Sequence, residues 1–298
     1  MRQLNDFYKD KKVLVTGGSG FIGSHLVEKL IEYGAKVTIL DNFSNSTLNN
    51  LKKVITQINL IFGDIRSSYT CHKATKGKEI VFHTAAFVSV PKSIDNPKLC
   101  HEINFVGTKN LLNASIQNNV QTFILSSSAA VYGEKDDVCK EEDDPNPQSP
   151  YAQSKLNSEN SCKEFFQKYN LNCASLRYFN VYGDRQNSNG DYAAVVAKFK
   201  QNLIDRKPII IFGDGKQLRD FIHVSKIVEA NLKMGMLQNL NGEIFNIASG
   251  QSINLLELIN QLEKELKIEK TQILFKETRP GDIINSKASC SKYKNLEI

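Results

Sequence analysis

Tyr151 and Lys155, four residues apart, are the pair in this sequence best suited to acid–base chemistry. On a helix this spacing places both side chains on one face, one turn apart. Ser149 is a good N-cap and Pro150 suits the first helical position, so we expect Tyr151 in the first turn, where the helix dipole favours negative charge. A neighbouring ammonium lowers the pKa of a phenol, which would let Tyr151 remove a proton from a hydroxyl group of a substrate. Because this spacing also arises by chance in many helices, the rest of the chain must supply a hydride acceptor.

A glycine-rich turn near the N-terminus predicts a site for such an acceptor. The β-branched run 13–16 is typical of a buried parallel strand, and apolar residues from Phe21 onward keep helical spacing until Gly34 ends the helix. Between the strand and the helix lie three spaced glycines, which are Gly17, Gly20 and Gly23. They would permit a tight turn, the approach of the backbone to a pyrophosphate, and close packing of the helix on the strand.

Asp41 extends this local pattern into a prediction about the cofactor. It ends the next strand, 18 residues after Gly23, where a carboxylate would bind the ribose hydroxyls of adenosine. No Arg or Lys follows Asp41 until Lys52, so a phosphate on the ribose 2′-oxygen would be repelled rather than neutralised. A glycine triplet alone is often only a turn, but the combined pattern predicts NAD in preference to NADP.

Strand patterns alternate with helical patterns through the first half of the chain. A strand and loop at 58–65 and strands at 79–83, 122–125 and 173–177 are predicted, with helices at 97–118 and 150–169. This alternation predicts an α/β fold of the Rossmann type, with a doubly wound parallel sheet. Residues 11–178 would form the NAD-binding domain. Residues 179–298 would form a smaller, mainly substrate-binding lobe with segments that return to the first domain.

Several polar residues lie where the predicted strands end, which is where ligands bind in such sheets. They are Asp41, Asp64, His83 and Ser126. His83 could be a catalytic base by its type, but Tyr151 with Lys155 already fills that role, so we interpret His83 as structural. One hydroxyl of the run 126–128 could bridge a substrate hydroxyl to Tyr151, although such hydroxyls also cap the backbone. The acidic segment 134–144 is interpreted as a solvated loop rather than a metal site.

Composition argues against other classes of function. The net charge of +6 arises from 38 basic and 32 acidic residues spread along the chain, so no basic run predicts nucleic-acid binding. The six cysteines show no metal-ligand spacing, which predicts reduced thiols, no bound metal and a cytoplasmic location. No apolar segment resembles a signal peptide or approaches the ~18 residues of a membrane span.

Taken together, these motifs resemble those of the extended short-chain dehydrogenase/reductases, specifically the nucleotide-sugar 4-epimerases, over residues 11–289. The resemblance implies NAD as the cofactor and a UDP-sugar as the substrate. It implies Tyr151, Lys155 and Ser128 as catalytic residues. The diphosphate of the sugar nucleotide would be held by Asn180, Arg219 and Arg279. The implied cofactor-binding positions are Gly17, Gly20, Phe21, Ile22, Gly23, Asp41, Asn42, Asp64, Ile65, Ala85, Tyr151 and Lys155.

The mechanism that the resemblance implies is a transient oxidation at C4 of the sugar. Tyr151, helped by Ser128, takes the proton of the 4-hydroxyl while C4 gives a hydride to NAD. The 4-keto sugar then turns, and the hydride returns to its other face. Lys155 lowers the pKa of Tyr151 and holds the nicotinamide ribose, and the cofactor stays bound between turnovers. A 4,6-dehydratase is the main rival, but such enzymes carry Asp-Glu at or close to the positions that Ala129 and Ala130 occupy here.

Positions carried over from the resemblance favour an N-acetylated sugar. In the family, a tyrosine five positions after the glycine of a Gly-Asp pair restricts the pocket to plain hexoses, and here that position is Ser286, counted from Gly281. The implied substrates are UDP-N-acetylglucosamine and UDP-N-acetylgalactosamine, with UDP-glucose and UDP-galactose as the alternative. Val88, where such enzymes tend to have glycine, could crowd the N-acetyl pocket. The other implied pocket positions are Ser89, Asn180, Gln186 and Ala194.

Expectations about assembly and about the C-terminus complete the comparison. Helices 97–118 and 150–169 resemble the pair that forms a four-helix interface in relatives, which implies a homodimer. Relatives usually continue beyond the position of Ile298 and carry an acidic residue where this chain has 289–291, which indicates a truncation or a missing packing layer. An alternative from another class of function is a non-catalytic NAD-binding protein. Such a protein would tolerate loss of the three catalytic residues, yet all three are present.

Overall fold

A seven-stranded parallel sheet forms the centre of the fold. The structure, a computed structural model, describes residues 2–186, 195–277 and 285–296. The strands of this sheet are β1 Lys12–Thr16, β2 Lys36–Asp41, β3 Asn59–Phe62, β4 Ile80–His83, β5 Thr122–Ser128, β6 Asn172–Tyr178 and β10 Glu243–Ile247. They lie in the order β3-β2-β1-β4-β5-β6-β10, and all neighbours pair in parallel. This arrangement confirms the predicted Rossmann-type α/β fold.

Helices cover both faces of this sheet. Their bounds are α1 Arg2–Tyr8, α2 Phe21–Glu32, α3 Ser68–Thr75, α4 Val90–Asp95, α5 Pro97–His101, α6 Gly107–Gln117, α7 Pro150–Tyr169, α8 Val195–Ile204, α9 Val224–Met236, α10 Leu255–Leu266 and α11 Ser291–Lys294. One apolar cluster joins α1, α2 and α9 to one face, and a second joins α3, α6 and α7 to the other. Because the strands are buried on both faces, their sequences are nearly continuous apolar runs, as in β1 after Lys12.

A smaller sheet is built around a strand from the second part of the chain, β9 Leu218–His223. One edge of β9 pairs antiparallel with β11 Ser252–Asn254. Two short strands, β7 Asn180–Tyr182 and β13 Asn285–Ser286, also pair with β9, in parallel. A separate pair, β8 Ile209–Phe212 and β12 Ile273–Lys276, packs with α8 and α10 around a third apolar cluster.

Parts of the second half of the chain return to the central sheet. β10 pairs with β6 at the edge of that sheet, and α9 packs against α2. The short helix α11 packs on β10, where the Lys292 ammonium donates a hydrogen bond to the Ile244 carbonyl at 2.9 Å. The predicted domain boundary between residues 178 and 179 would separate the first six strands of the large sheet from the seventh. The division into two domains stays a prediction.

Two elements differ from the sequence-based predictions. β5 continues to Ser128, beyond the predicted strand 122–125, because residues 126–128 still pair with β6. The helix predicted at 97–118 contains a π-helical turn, Glu102–Val106. In this turn the Asn104 side chain accepts a hydrogen bond from the Phe87 N–H and donates one to the Phe87 carbonyl, at 2.7 and 3.1 Å. A contact with a distant loop does not change the hydrophobic periodicity of the sequence, so the π-helical turn could not be predicted from it.

Four further features concern the cysteines, the acidic segment, metal sites and membrane-spanning helices. All six cysteines are buried, and none forms a disulfide. The acidic segment 134–144 is largely irregular and carries an ion pair between Lys135 and Asp143. Within the described ranges, no cluster of three or more His, Cys, Asp and Glu side chains could hold a metal ion. None of the helices in those ranges has the length and apolar character needed to cross a membrane.

Candidate active site

The helix that carries Tyr151 and Lys155, α7, begins where the sequence predicts. Ser149 is its N-cap, and the Ser149 hydroxyl accepts a hydrogen bond from the Ala152 N–H at 3.1 Å. Pro150 occupies the first helical position, so Tyr151 lies in the first turn. The free N–H of Tyr151 donates to the Ser93 hydroxyl of α4 at 3.2 Å. These contacts fix the start of α7, and with it the phenol, against the neighbouring helix.

Lys155 is buried one turn further along α7, where only 5% of it is exposed. Its ammonium donates a hydrogen bond to the Ser126 carbonyl at the end of β5, at 2.8 Å. The same nitrogen lies 6.0 Å from the centre of the Tyr151 ring. Burial lowers the pKa of Lys155 to about 8, against the opposing influence of Cys100 and Glu159. Lys155 is therefore close to the phenol, but the backbone of β5 is its direct partner.

The electrostatics of Tyr151 correct one expectation. A pKa lowered by Lys155 was expected, yet burial raises the pKa of Tyr151 above its ordinary value. Contact with the Ser128 side chain acts in the opposite direction and only partly offsets burial. The prediction was wrong in direction because desolvation of the phenol outweighs its polar contacts, while the Lys155 ammonium is directed at the Ser126 carbonyl.

Ser128 and His83 end the neighbouring strands β5 and β4, and their surroundings differ. The Ser128 side chain contacts the phenol of Tyr151, and its hydroxyl also accepts from the Ala130 N–H at 3.2 Å. His83 is buried between the hydroxyls of Thr16 and Thr108, at 2.7 and 2.9 Å. Burial lowers the pKa of His83 to about 3, so its ring is neutral. The structural interpretation of His83 is confirmed.

The glycine turn forms a cradle that side chains would fill. Gly17 has a positive φ of 66°, and a Cβ there would lie 2.7 Å from the Ala85 backbone. A Cβ on Gly23 would lie 2.2 Å from the Gly17 carbonyl oxygen. Gly20 is the N-cap of α2, and Phe21 and Ile22 form the first turn of that helix. The free N–H groups of this turn suit a pyrophosphate.

Asp41 joins the glycine turn to the end of β2. Its carboxylate accepts from the Ser19 N–H at 3.0 Å and, on the other oxygen, from the Phe43 N–H at 2.8 Å. The oxygen bound to Phe43 also accepts from the Ser46 hydroxyl at 3.1 Å, so the oxygen bound to Ser19 is the one with a lone pair left for a ribose hydroxyl. Ala85 closes the opposite side of the turn, where its N–H donates to the Thr16 hydroxyl at 3.3 Å.

A second carboxylate, Asp64, follows β3. The Arg66 guanidinium donates two hydrogen bonds to it, at 3.0 and 2.8 Å, and the Asn42 amide donates a third at 3.0 Å. Contact with Arg66 lowers the pKa of Asp64 to about 2, so this carboxylate is ionised. The next residue, Ile65, is buried. Asn42 and Asp64, predicted separately as cofactor-binding residues, are thus in direct contact. The glycine cradle and Asp41 together fit the pyrophosphate and ribose of NAD. The Asp64 carboxylate accepts four hydrogen bonds from Arg66 and Asn42, so its contact with adenine stays a prediction.

The small sheet brings three predicted substrate-binding residues together. Ser286 lies opposite Arg219 in the β13–β9 pair, and Asn180 lies opposite Phe221 in the β7–β9 pair. The Asn180 amide donates to the Ser286 hydroxyl at 3.4 Å and to the Asp220 carbonyl at 3.0 Å. Residues about a hundred positions apart in sequence are therefore neighbours. Ala194, Arg279 and Gly281, which were also predicted here, lie outside the described residues.

Gln186 and Ser89 are placed by local contacts. The Gln186 amide donates to the Val181 carbonyl at 2.8 Å, while its side-chain oxygen is buried without a hydrogen-bond partner among the residues that the structure describes. Ser89 is the N-cap of α4 and accepts from the Lys92 N–H at 3.3 Å. Beside it, the Val88 side chain is exposed.

Sequence reasoning missed residues that hold the site together. Asn104 links the Phe87 loop to α7, because its amide also donates to the Ser154 hydroxyl at 2.9 Å. The Ser126 backbone carbonyl anchors Lys155, which no residue type could have indicated. Glu159 was also missed, although it lies four residues after Lys155, as Lys155 does after Tyr151. That repeated spacing was the available signal for a third polar residue on the same face of α7.

Comparisons with known proteins place the chain in a family. The sequence profile of the NAD dependent epimerase/dehydratase family matches residues 13–248. A Methanobrevibacter ruminantium structure, a UDP-N-acetylglucosamine 4-epimerase in complex with UDP-N-acetylmuramic acid, aligns with a TM-score of 0.93 and 38% identity, covering 97% of this chain and 93% of that one. A Thermotoga maritima UDP-glucose 4-epimerase with UDP-glucose aligns with a TM-score of 0.88 and 36% identity, covering 95% and 91%.

A sequence relative supports the same grouping. A Methanocaldococcus jannaschii protein, provisionally named UDP-glucose 4-epimerase, is 37% identical over 287 residues, which are 95% of this chain and 92% of the relative. With this agreement among sequence, fold and site, the chain belongs to the NAD-dependent epimerase/dehydratase family and is an enzyme that uses NAD as its cofactor.

Proposed function

We propose that this enzyme interconverts UDP-N-acetylglucosamine and UDP-N-acetylgalactosamine by inverting C4 of the sugar. The observation that carries the proposal is the meeting of Tyr151, Ser128 and Lys155 at the carboxyl edge of the sheet that also bears the glycine cradle. A proton acceptor and a dinucleotide site at one edge are what reversible oxidation of an alcohol requires.

Tyr151 is the proton acceptor in this mechanism. It takes the proton of the sugar 4-hydroxyl, with the Ser128 hydroxyl sharing hydrogen bonds with both oxygens. When bound, NAD would supply a positively charged ring that favours the phenolate and that could hold the hydride of C4 while the 4-keto sugar turns. Lys155 holds the nicotinamide ribose from its anchored position on β5. Tyr151 then returns the proton to the new 4-hydroxyl.

The small sheet is the proposed support for the rest of the substrate. Asn180 and Arg219 lie on adjacent strands around Asp220 and would donate hydrogen bonds to the diphosphate, together with Arg279. Arginine suits this role because its forked donors match phosphate oxygens. Gln186 adds a buried side-chain oxygen that could accept from a sugar hydroxyl. Ser89 and Ala194 complete the proposed pocket.

Sugar choice rests on the size of residue 286. Ser286 is smaller than the tyrosine that restricts the pocket in the family, which favours an N-acetylated sugar, and its hydroxyl lies 3.4 Å from the Asn180 amide. Val88 argues in the opposite direction because its exposed side chain occupies a position where glycine would leave more space. The names of two relatives also keep UDP-glucose and UDP-galactose as the alternative substrate pair.

Elimination of water is a poor fit to the same residues. Ala129 and Ala130 form the start of the 3-10 helix that Ser128 caps. Neither side chain can donate or accept a proton, which a 4,6-dehydratase requires at these positions. The proposal is therefore epimerisation alone.

A cytoplasmic homodimer is part of the same proposal. The helices α5 and α7 and the π-helical turn between α5 and α6 expose apolar side chains, which are Leu99, Val106 and Tyr169. Exposed apolar residues on adjacent helices suit an interface between two copies of the chain. No membrane or nucleic-acid partner is proposed.

The proposal is tested by comparing both pairs of substrates. Purified enzyme is incubated separately with UDP-N-acetylglucosamine and UDP-glucose, and the C4 epimer is followed by proton NMR to obtain kcat/KM for each. The expected result is turnover of both with a higher kcat/KM for the N-acetylated sugar. A higher value for UDP-glucose would select the alternative pair, and no turnover of the N-acetylated sugar would end the proposal.

A further inference from the structure

An ion pair lies in the protein interior directly behind the catalytic residues. Glu159 of α7 and Arg177 of β6 each have a side chain only 1% exposed. The guanidinium donates to both carboxylate oxygens, with distances of 3.0 Å for Nε to Oε1 and 2.7 Å for Nη2 to Oε2. The guanidinium carbon also lies 4.5 Å from the centre of the Tyr132 ring, which packs over the cation.

This pair is connected to the catalytic strand through Ser127. The Ser127 hydroxyl donates to Glu159 Oε1 at 2.5 Å. Ser127 lies between Ser126, whose carbonyl holds the Lys155 ammonium, and Ser128, whose side chain contacts the phenol of Tyr151. The hydrogen bond to Glu159 therefore fixes the short segment of β5 on which both of those contacts depend.

Glu159 also shares a helix face with the catalytic pair. Tyr151, Lys155 and Glu159 follow one another at intervals of one turn on α7. The groups that influence Lys155 are Cys100 from α5 and Glu159 from its own helix, and both favour its charged form. His83 from β4 is neutral and Tyr151 carries no charge until it releases its proton. Of the groups that influence Lys155, Glu159 is therefore the one that is a carboxylate.

A contribution to folding stability is a weak explanation for a buried ion pair. Removing two charges from water is costly, and replacing a buried ion pair with neutral side chains of similar size is often neutral or stabilising. The effect of the pair on its surroundings is then the better account of its presence.

We propose that Glu159, held by Arg177, is a positioning residue for the reaction: it sets the end of β5 against α7 and places a carboxylate one helical turn beyond Lys155. This role rests on the proposed function, because it assumes that Tyr151 and Lys155 carry the chemistry. It extends the proposed site along α7 by one turn, from Lys155 to Glu159.

Two variants test the two parts of this role. E159Q/R177M replaces the pair with neutral side chains of similar length, so the fold is expected to survive. S127A removes the hydroxyl donor but leaves both charges in place. S115A serves as the control, since Ser115 is a buried serine of α6 whose hydroxyl has no hydrogen-bond partner in the described part of the chain. Each NAD-loaded variant is compared with wild type for its unfolding midpoint, kcat, KM and pH profile.

The positioning role predicts a loss of kcat without a matching loss of stability. In E159Q/R177M, kcat should fall by about tenfold or more, because small misplacements of catalytic groups are costly, while KM changes little. Its alkaline limb should move to lower pH, since Lys155 loses its proton more easily without Glu159. S127A should lower kcat and leave the alkaline limb in place. S115A should behave like wild type.

Three results would overturn the proposal. They are a folded E159Q/R177M with the kcat and pH profile of wild type, an S127A with the kcat of wild type, or losses of kcat that simply follow losses of stability. If E159Q/R177M does not fold, the kcat of S127A decides.

A failure of the proposed function is recognised separately, because wild type would then turn over no nucleotide sugar. In that case 13C-lysine NMR decides, with the Lys155 signal identified by its absence in K155M. The proposal expects this signal to titrate at lower pH in E159Q/R177M, and an unchanged titration would contradict it.

Discussion

Burial makes Lys155 bind its proton less tightly than a lysine in water does. The ammonium has one direct partner in the hydrogen bonds of the described residues, the Ser126 carbonyl, and burial lowers its pKa from the ordinary 10.5 to about 8. The folded chain therefore binds a proton at this site less readily than the unfolded chain does. Below pH 8 the folded state carries the full cost of a buried charge, and this cost disappears as the pH rises toward 10.5.

We predict that Lys155→Met stabilises the cofactor-free protein while it abolishes epimerisation. At pH 7 the variant should gain up to about 3 kcal/mol in the free energy of unfolding, because it removes the cost of the buried charge. The gain should shrink as the pH rises from 8 toward 10.5. Urea unfolding across this range measures it, with Lys163→Met on the exposed side of the same helix as the control. A loss of stability at pH 7 would contradict the prediction.

Ser286 carries the prediction about substrate choice. Ser286→Tyr should lower kcat/KM for UDP-N-acetylglucosamine by about tenfold or more, because the larger ring fills the space assigned to the N-acetyl group, and should leave UDP-glucose less affected. Ser286→Ala, which stays small, should leave both substrates close to their wild-type values. Steady-state assays of both sugars provide the measurement. Equal losses for the two sugars in Ser286→Tyr would show that residue 286 does not select the 2-substituent.

The sequence was informative about residues where spacing alone defines geometry. Tyr151 and Lys155 were found because a helix converts four positions into one turn. The raised pKa of Tyr151 was not predicted, because desolvation depends on what packs around the phenol rather than on its neighbours in sequence. Asn104 and Arg177 were missed for a related reason. Their partners, Phe87 and Glu159, come from other elements of the fold.

At the scale of elements, the turn between β1 and α2 has little room for added side-chain atoms. The Cβ that alanine would add at Gly23 lies 2.2 Å from the Gly17 carbonyl oxygen, and this is a backbone atom that cannot rotate away. The turn would have to open, which would separate the N–H groups that we expect to bind the pyrophosphate.

We therefore predict that Gly23→Ala weakens NAD binding by about tenfold or more, since overpacking of this kind costs about 1–3 kcal/mol. The fold should survive because the strain is confined to the turn. Isothermal titration with NAD measures the change, and circular dichroism checks the fold. Glu32→Ala, at the exposed end of the same helix, should bind NAD as wild type does. Wild-type affinity in Gly23→Ala would show that the turn does not contact the cofactor.

Element boundaries were predicted where the sequence carries a chemical signal. Ser149 and Pro150 mark the start of α7, and the structure begins the helix at Pro150. The end of β5 was missed because serines rarely indicate a strand, and here pairing with β6 decides the matter. The π-helical turn at Glu102–Val106 was also missed. It coincides with the contacts of Asn104, which are long-range.

For the whole molecule, the first six strands of the large sheet were predicted, but its seventh strand, β10, and the small sheet were not. Alternating strands and helices with short connections define a parallel sheet almost uniquely. The small sheet instead pairs β9 with strands of two and three residues that come from distant parts of the chain. Strands this short carry too little periodicity to be recognised. This sheet nonetheless places Asn180 beside Ser286, so the proposed substrate site depends on the less predictable half of the fold.

The central claim is that a hydride leaves C4 of the sugar and returns to the same carbon without reaching solvent. UDP-N-acetylglucosamine carrying deuterium at C4 tests this claim most directly, with the product analysed by NMR and mass spectrometry. The account predicts that UDP-N-acetylgalactosamine forms with the deuterium still at C4, and that Tyr151→Phe forms little of it. Product with hydrogen from water at C4, or no product from a folded enzyme loaded with NAD, would contradict the account.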